Sequence, residues 1–355
     1  MTRNRTRFTP VWNDAPPPEG SFRALFKWGD PNTFKHPNHH LVRFMIDTFG
    51  LDASDLAQRC SEGLQPVPDI ARVQLPKRHV AALTAIVGAE NVRTATYDRL
   101  RMSYGKGMID ALRLRQGLVE NLPDVVLAPR STQEVQAILD YCQRSRIPLY
   151  VFGGGSTVTR GIEAVKGGVA LDMSAHMNRV VAFNETDQTI TVEAGISGPQ
   201  LEAALNHAPE RLGAQRRYTC GHFPQSFEYS SVGGWVVTRG AGQNSTYYGK
   251  IEDIVIAQHV VTPHGSLRTM PQPRCATGPD FDQILIGSEG CFGVLTEVTL
   301  RVFRWMPRNT RRFCYMFRSW EQGLAAVREV MQMEAGFPSV FRLSDAEETD
   351  VAMRL

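Results

Sequence analysis

The clearest periodicity in the chain begins after Pro129. Ser131-Thr132-Gln133-Glu134 has the Ser-x-x-Glu spacing of a helix-capping box, and Val135, Ile138, Leu139 and Cys142 then recur at helical spacing. Pro148 ends that helix, and the apolar run Pro148-Leu149-Tyr150-Val151-Phe152 predicts a short strand that feeds directly into Gly153-Gly154-Gly155. Further strands are expected at 168–172, 178–183 and 189–194. Ser197-Gly198-Pro199 opens another helix, with Ser197 as N-cap, Pro199 near the first position, and Leu201, Ala204 and Leu205 on its apolar side. A strand at 253–262, a turn at Pro263-His264-Gly265 and a long alternating strand from Gly293 to Phe303 follow. In that last strand Val294, Thr296, Val298, Leu300 and Val302 share one face. The order of helices and strands predicts an α+β fold.

On either side the pattern changes. Residues 1–120 are irregular, with Pro16-Pro17-Pro18, Gly29-Asp30-Pro31-Asn32 and a polar stretch at 52–78, and they read as an N-terminal extension. One helix is expected there at 40–49, where Leu41, Phe44, Met45 and Thr48 share a face. Residues 121–305 form the main domain. From 306 to 355 a second domain begins: a strand from Arg311 to Arg318, a helix from Trp320 to Glu334 carrying Leu324, Val327, Val330 and Met331, and a strand from Ser339 to Leu343.

Composition narrows the function classes. A chain of 355 residues can hold two domains, and its 42% hydrophobic and 21% charged content is ordinary for a globular protein. The formal net charge of +3 is too small to indicate a nucleic-acid binder, and Arg3, Arg5 and Arg7 read as a solvated tail. No apolar stretch has transmembrane length and no secretory h-region follows those arginines. The six cysteines (Cys60, Cys142, Cys220, Cys275, Cys291, Cys314) contain no C-x-x-C pair, which fits reduced thiols in a cytosol-like compartment and no metal site.

Candidate chemistry starts at the glycines. A P-loop needs a Lys-Ser/Thr pair closing the loop, and none follows Gly155; a Rossmann turn needs a glycine where Val158 stands and a helix immediately after. The order here is helix, strand, glycine loop. Consecutive glycines leave bare N–H groups able to approach an anion, although an ordinary turn has the same composition. Four segments share glycines and hydroxyls beside apolar strands. They are Val151-Phe152-Gly153-Gly154-Gly155-Ser156-Thr157, Gln225-Ser226-Phe227-Glu228-Tyr229-Ser230-Ser231, Thr238-Arg239-Gly240-Ala241, and Glu289-Gly290-Cys291-Phe292-Gly293 with Val294 and Leu295 beyond. Each alone reads as a turn; joined across one crevice they supply amides for a diphosphate and hydroxyls for a ribityl or ribose chain, which a dinucleotide requires.

Pro148–Ser156 resembles the pyrophosphate loop of the vanillyl-alcohol-oxidase-type (PCMH-type) FAD-binding fold. Within it the chain resembles the alkylglycerone-phosphate synthases, on Phe26-Lys27-Trp28-Gly29, Thr191-Val192-Glu193-Ala194-Gly195-Ile196, Cys220-Gly221-His222-Phe223-Pro224, Ser230-Ser231-Val232-Gly233-Gly234-Trp235-Val236, Tyr248-Gly249-Lys250-Ile251-Glu252-Asp253, Ser288–Gly293 and Phe341-Arg342-Leu343-Ser344-Asp345. The resemblance implies a two-subdomain FAD-binding domain followed by the start of a ferredoxin-like α+β cap, with the four segments lining a non-covalently bound FAD. It also implies exchange of the acyl group of acyl-dihydroxyacetone phosphate for a long-chain alcohol, the flavin trapping the fragment through N5 without net redox change.

His222 matches a histidine that family uses near its active site, as a charge or proton-transfer group; a satisfied structural histidine is the alternative. Arg342 is expected on a strand over the flavin, meeting a phosphate or carboxylate of the substrate, or else pairing with Asp345. Arg239 is either a surface arginine or a phosphate contact. The partners implied are a phosphate-bearing acyl substrate and a fatty alcohol, with peripheral membrane contact and a homodimer compatible with them, and no nucleic acid. The family's downstream tyrosine and histidine cluster are not in this sequence, so an inactive truncated flavoprotein is one alternative and an FAD-linked oxidoreductase of 2-hydroxy acids another. The loop before His222 is more basic than the family leads one to expect, through Arg211, Arg216 and Arg217.

Overall fold

The computed structural model describes residues 17–26, 28, 39–52, 54–55, 63–69, 72–272 and 276–355. Pro16, Lys27, the 29–32 turn, Cys60 and Cys275 lie outside the described residues. The first part of the chain contains helices α1 (Phe22–Phe26), α2 (His39–Phe49), α3 (Lys77–Val87), α4 (Thr96–Arg101) and α5 (Met108–Arg115), with a short strand β1 (Val92–Arg93) before α4. The expected helix at 40–49 is α2. The segment read as an extension does not stand apart: β1 pairs with the strand β2 (Val125–Leu127), and Leu83 and Val87 of α3 are fully buried in the core beneath that sheet. A second cluster, Phe22, Leu25, Phe26, Leu100, Tyr104 and Leu114, ties α1 to α4 and α5.

Strands β2, β3 (Leu149–Phe152) and β4 (Val169–Asp172) form, with β1, a four-stranded sheet in the order β1-β2-β4-β3. The β2–β4 and β3–β4 pairs are parallel. Helix α6 (Thr132–Ser145) crosses this sheet and buries the expected stripe Val135, Ile138, Leu139 and Cys142. Ser131 Oγ caps it by accepting from Glu134 N at 3.2 Å. The other half of the capping box is diverted, since the Glu134 carboxylate accepts from Arg130 N at 2.8 Å instead.

Strands β5 (Val180–Asn184), β6 (Thr189–Glu193), β8 (Val255–Thr262), β9 (Gly265–Arg268) and β10 (Val294–Arg301) form an antiparallel sheet in the order β5-β6-β10-β8-β9. Helices α7 (Gly198–Asn206), α8 (Val232–Val237), α9 (Ile251–Ile254) and α10 (Phe281–Leu285) contribute to the core on one face of it. Ser197 and Gln200 make the complete capping box at the start of α7. The single-face reading of β10 needs correction. Its pairing with β8 shifts register between Leu295 and Glu297 and again between Thr299 and Leu300. A bulge moves the alternation by one residue, so Leu295, Val298, Leu300 and Val302 share this core while Val294 enters the core of the other sheet.

A two-stranded ribbon, β7 (Tyr218–Thr219) against β11 (Phe303–Arg304), closes the domain. Beyond it the expected helix appears as α11 (Trp320–Gln332), followed by α12 (Ala346–Arg354). The expected strands at 311–318 and 339–343 do not form. No ladder partner meets those segments among the described residues, and a run without one is not a strand.

Candidate functional site

Strand β3 delivers the glycine loop to the segment that precedes α8. A β-carbon on Gly153 would overlap the Ser231 hydroxyl and one on Gly154 the Tyr229 carbonyl; Gly155 has φ +66° and lies against the Phe152 ring. Glycine is therefore required at all three positions by the protein's own packing. One consequence is chemical: the backbone amides of Gly154, Gly155, Ser156 and Thr157 donate no hydrogen bond among the described residues. Consecutive unpartnered amides at one bend form a concavity suited to an anion.

The other segments converge on α8. Ser230 Oγ accepts from Trp235 Nε1 at 2.7 Å, Ser231 Oγ caps the helix by accepting from Gly234 N at 3.2 Å, and Thr238 Oγ1 donates to Gly234 O at 2.7 Å. These hydroxyls, expected to face a ribityl chain, already serve the helix. The stretch before 293 docks on the helix end, with Gly287 N donating to Val236 O at 3.0 Å and Glu289 N to Val237 O at 2.8 Å. The side chains of Val294 and Leu295 are buried in the hydrophobic cores, so only their backbone is left to face a cofactor. Phe152 is likewise buried, among Met102, Val126 and Ala170. Arg239 is a clamp: Nη2 donates to Gln283 Oε1 at 2.8 Å and Nε lies 3.4 Å from Glu252 Oε1. Cys291 is exposed in a turn.

His222 is 1% exposed, and neither ring nitrogen has a hydrogen-bond partner. Its ring centroid lies 4.8 Å from that of Trp235, and Gly240 and Gly242 flank its two nitrogens. Burial pushes the imidazole down to about 4, against the opposing pull of Glu252, so it is neutral near pH 7. A satisfied structural histidine would show at least one partner. Two buried nitrogens left without a partner are rare in a folded interior and mark His222 as a candidate functional group. Arg342 differs from expectation: its strand is not formed, its side chain is 70% exposed, and it pairs with Glu348 rather than Asp345, which caps α12 by accepting from Glu348 N at 2.7 Å.

Two elements were missed by sequence reasoning. Gly105-Lys106-Gly107 grips the far end of the glycine loop: Lys106 N donates to Thr157 O at 2.8 Å, and a β-carbon on Gly105 would overlap that carbonyl. Its Nζ lies 4.9 Å from the Tyr229 ring centroid. The paired glycines around a lysine were a readable signal. Glu202 is the other. Its buried carboxylate accepts from Cys220 N at 2.7 Å, from Thr219 Oγ1 at 2.9 Å and from Asn206 Nδ2 at 2.8 Å, holding the turn that carries His222. Burial raises its carboxyl pKa despite these donors.

Comparison with known proteins agrees with this geometry. A family described as FAD binding domain matches residues 123–270. An alkyldihydroxyacetonephosphate synthase of Dictyostelium discoideum is 30% identical over 286 residues, 79% of this chain and 45% of that protein. A mitochondrial D-lactate dehydrogenase [cytochrome] of Arabidopsis thaliana is 34% identical over 255 residues, 71% of this chain and 41% of that protein. A solved alkyldihydroxyacetonephosphate synthase structure superposes with a TM-score of 0.69 at 27% identity, covering 80% of this chain and 50% of the other. The chain spans about half the length of the curated relatives it matches. By sequence and by fold, the chain carries an FAD-binding domain over residues 123–270 and is similar to the alkyldihydroxyacetonephosphate synthases over most of its own length.

Proposed function

We propose that the chain acts as an FAD-dependent alkyl transferase of ether-lipid synthesis, exchanging the acyl group of acyl-dihydroxyacetone phosphate for a long-chain alcohol. The observation that carries this reading is His222, neutral, buried and unpartnered, on the Cys220–Pro224 run in which the chain resembles the synthases. The amides of Gly154 to Thr157 would hold the FAD diphosphate, and Gly240 and Gly242 bring bare backbone against the imidazole. When bound, the flavin supplies an electron sink for a carbonyl fragment without net redox change. The neutral ring of His222 is set to take the proton beside that carbonyl at whichever nitrogen faces it. Glu202 fixes the turn, and burial beside Trp235 excludes water.

The D-lactate dehydrogenase relative supports a second reading, oxidation of a 2-hydroxy acid by the same flavin. Supplying the FAD-loaded chain with acyl-dihydroxyacetone phosphate and a radiolabelled fatty alcohol separates the two. Labelled alkyl product with the flavin oxidised at the end is the expected result. Bleaching of the flavin by D-lactate without alkyl exchange would replace the first reading with the second.

A further inference from the structure

Glu252, on α9, is a buried acid that the proposed reaction has not used, and the backbone ties it to His222. Its neighbour Ile251 donates from its amide to Gly240 O at 3.2 Å. Gly240 lies against the imidazole, where a β-carbon would stand 3.7 Å from Nε2, and its own amide is anchored on Trp235 O at 2.9 Å. Trp235 is the residue whose ring meets that imidazole. Glu252 is 8% exposed, and its Oε1 is met by Lys250 Nζ at 2.5 Å and Arg239 Nε at 3.4 Å. Burial works against its charged form, but the hydrogen bond from Lys250 and the two cations hold its carboxyl below the usual range. The other titratable groups around the turn are accounted for. Glu202 is turned to the Cys220 amide and the Thr219 hydroxyl, while burial keeps the Cys220 thiol and the Tyr248 phenol, packed on Gly221, neutral. Glu252 is left as the charge whose field favours a proton on the ring. Arg239 and Lys250 oppose it, but their side chains are 42% and 50% exposed against 11% for Glu252, so solvent screens them more.

The consequence concerns the proton step described above, and the inference rests on that reading. As the C–H bond beside the substrate carbonyl breaks, an N–H bond forms on His222 and the electron pair stays on the carbonyl fragment. A neutral ring thereby becomes a cation in a buried site, where a charge without a counter-charge is costly. We propose that Glu252 is a positioning residue for this step, acting through His222 as the fixed counter-charge of the imidazolium. A carboxylate behind a histidine serves the same end in hydrolytic triads, without taking the proton itself. Lys250 and Arg239 hold the Glu252 carboxylate in place.

Two readouts on the FAD-loaded chain test it. The acid limb of the pH profile of alkyl exchange reports protonation of His222. E252Q should move that limb to lower pH and lower kcat about tenfold at pH 7, with flavin content and the KM for the alcohol unchanged. K250Q removes an opposing cation and should move the limb to higher pH. E252D keeps the charge and should resemble the parent; with K250Q it carries the test if E252Q does not fold. The second readout needs no turnover. With ¹³C-labelled histidine, the ring signal missing from H222Q should titrate at lower pH in E252Q and at higher pH in K250Q. Absence of exchange in the parent would sink the proposed reaction but not the counter-charge, which the ring titration tests alone. A ring signal unmoved in E252Q, or shifts of one sign in both variants, would overturn the proposal.

Discussion

Gly154 lies directly beneath the carbonyl oxygen of Tyr229, with no room for a β-carbon between them. This contact, more than the glycine run itself, sets the loop against the segment leading into α8 and leaves its amides bare. The Gly154→Ala substitution should therefore move backbone and not only a side chain. It is expected to cost about 1–3 kcal/mol and to lower FAD occupancy. Thermal unfolding together with flavin absorbance checks this, and full occupancy in the variant would show that the contact does not set the loop.

The depressed pKa of His222 makes a signed prediction. Its folded value of about 4 lies below the ordinary 6.5. Above the upper value both states are neutral and the group contributes nothing to the pH dependence. As pH falls from about 6.5 toward 4 the unfolded chain takes up the proton first, and the fold loses about 3 kcal/mol. Below about 4 this loss stops growing. Urea midpoints across that range should fall more steeply in the parent than in His222→Gln, and parallel curves would contradict the burial assigned to the ring.

Because the His222 ring makes no hydrogen bond, His222→Gln should fold and retain FAD while alkyl exchange drops by about 10²–10⁴-fold. Flavin content and product formation measured on one preparation separate these effects. Undiminished exchange would remove the histidine from the chemistry.

Removal of the Glu202 carboxylate strands the Cys220 amide and the Thr219 hydroxyl in the interior. Glu202→Ala is expected to cost about 2–4 kcal/mol, more than a surface carboxylate would. Chemical denaturation against an exposed control such as Glu347→Ala measures the difference.

Arg342 gives the opposite expectation. An exposed ion pair with Glu348 contributes about 0–1 kcal/mol, so Arg342→Gln should leave stability and flavin content unchanged. A large loss of either would mean that the arginine reaches a buried partner.

Most of the sheet framework could be read in the chain because its signals are local. The stripe Val135, Ile138, Leu139 and Cys142, the N-caps Ser131 and Ser197, and the apolar runs of β4 and β6 each carry their own periodicity. What could not be read depends on contacts distant in sequence. The bulges in β10 arise from its pairing with β8, and nothing in residues 293–303 marks them. The segments at 311–318 and 339–343 have strand composition, but composition supplies no ladder partner. At the site, the four glycine and hydroxyl segments were recognisable, yet their use of hydroxyls for helix α8 and the grip of Gly105-Lys106-Gly107 on Thr157 appear only once the chain is folded.

FAD held at the Gly153–Thr157 loop is tested most directly by the absorbance spectrum of the purified chain, reconstituted with FAD, before and after acid precipitation. The prediction is a flavin spectrum that co-purifies with the protein and passes wholly into the acid supernatant. A chain that stays colourless after reconstitution would contradict the site, and colour remaining in the pellet would contradict non-covalent binding.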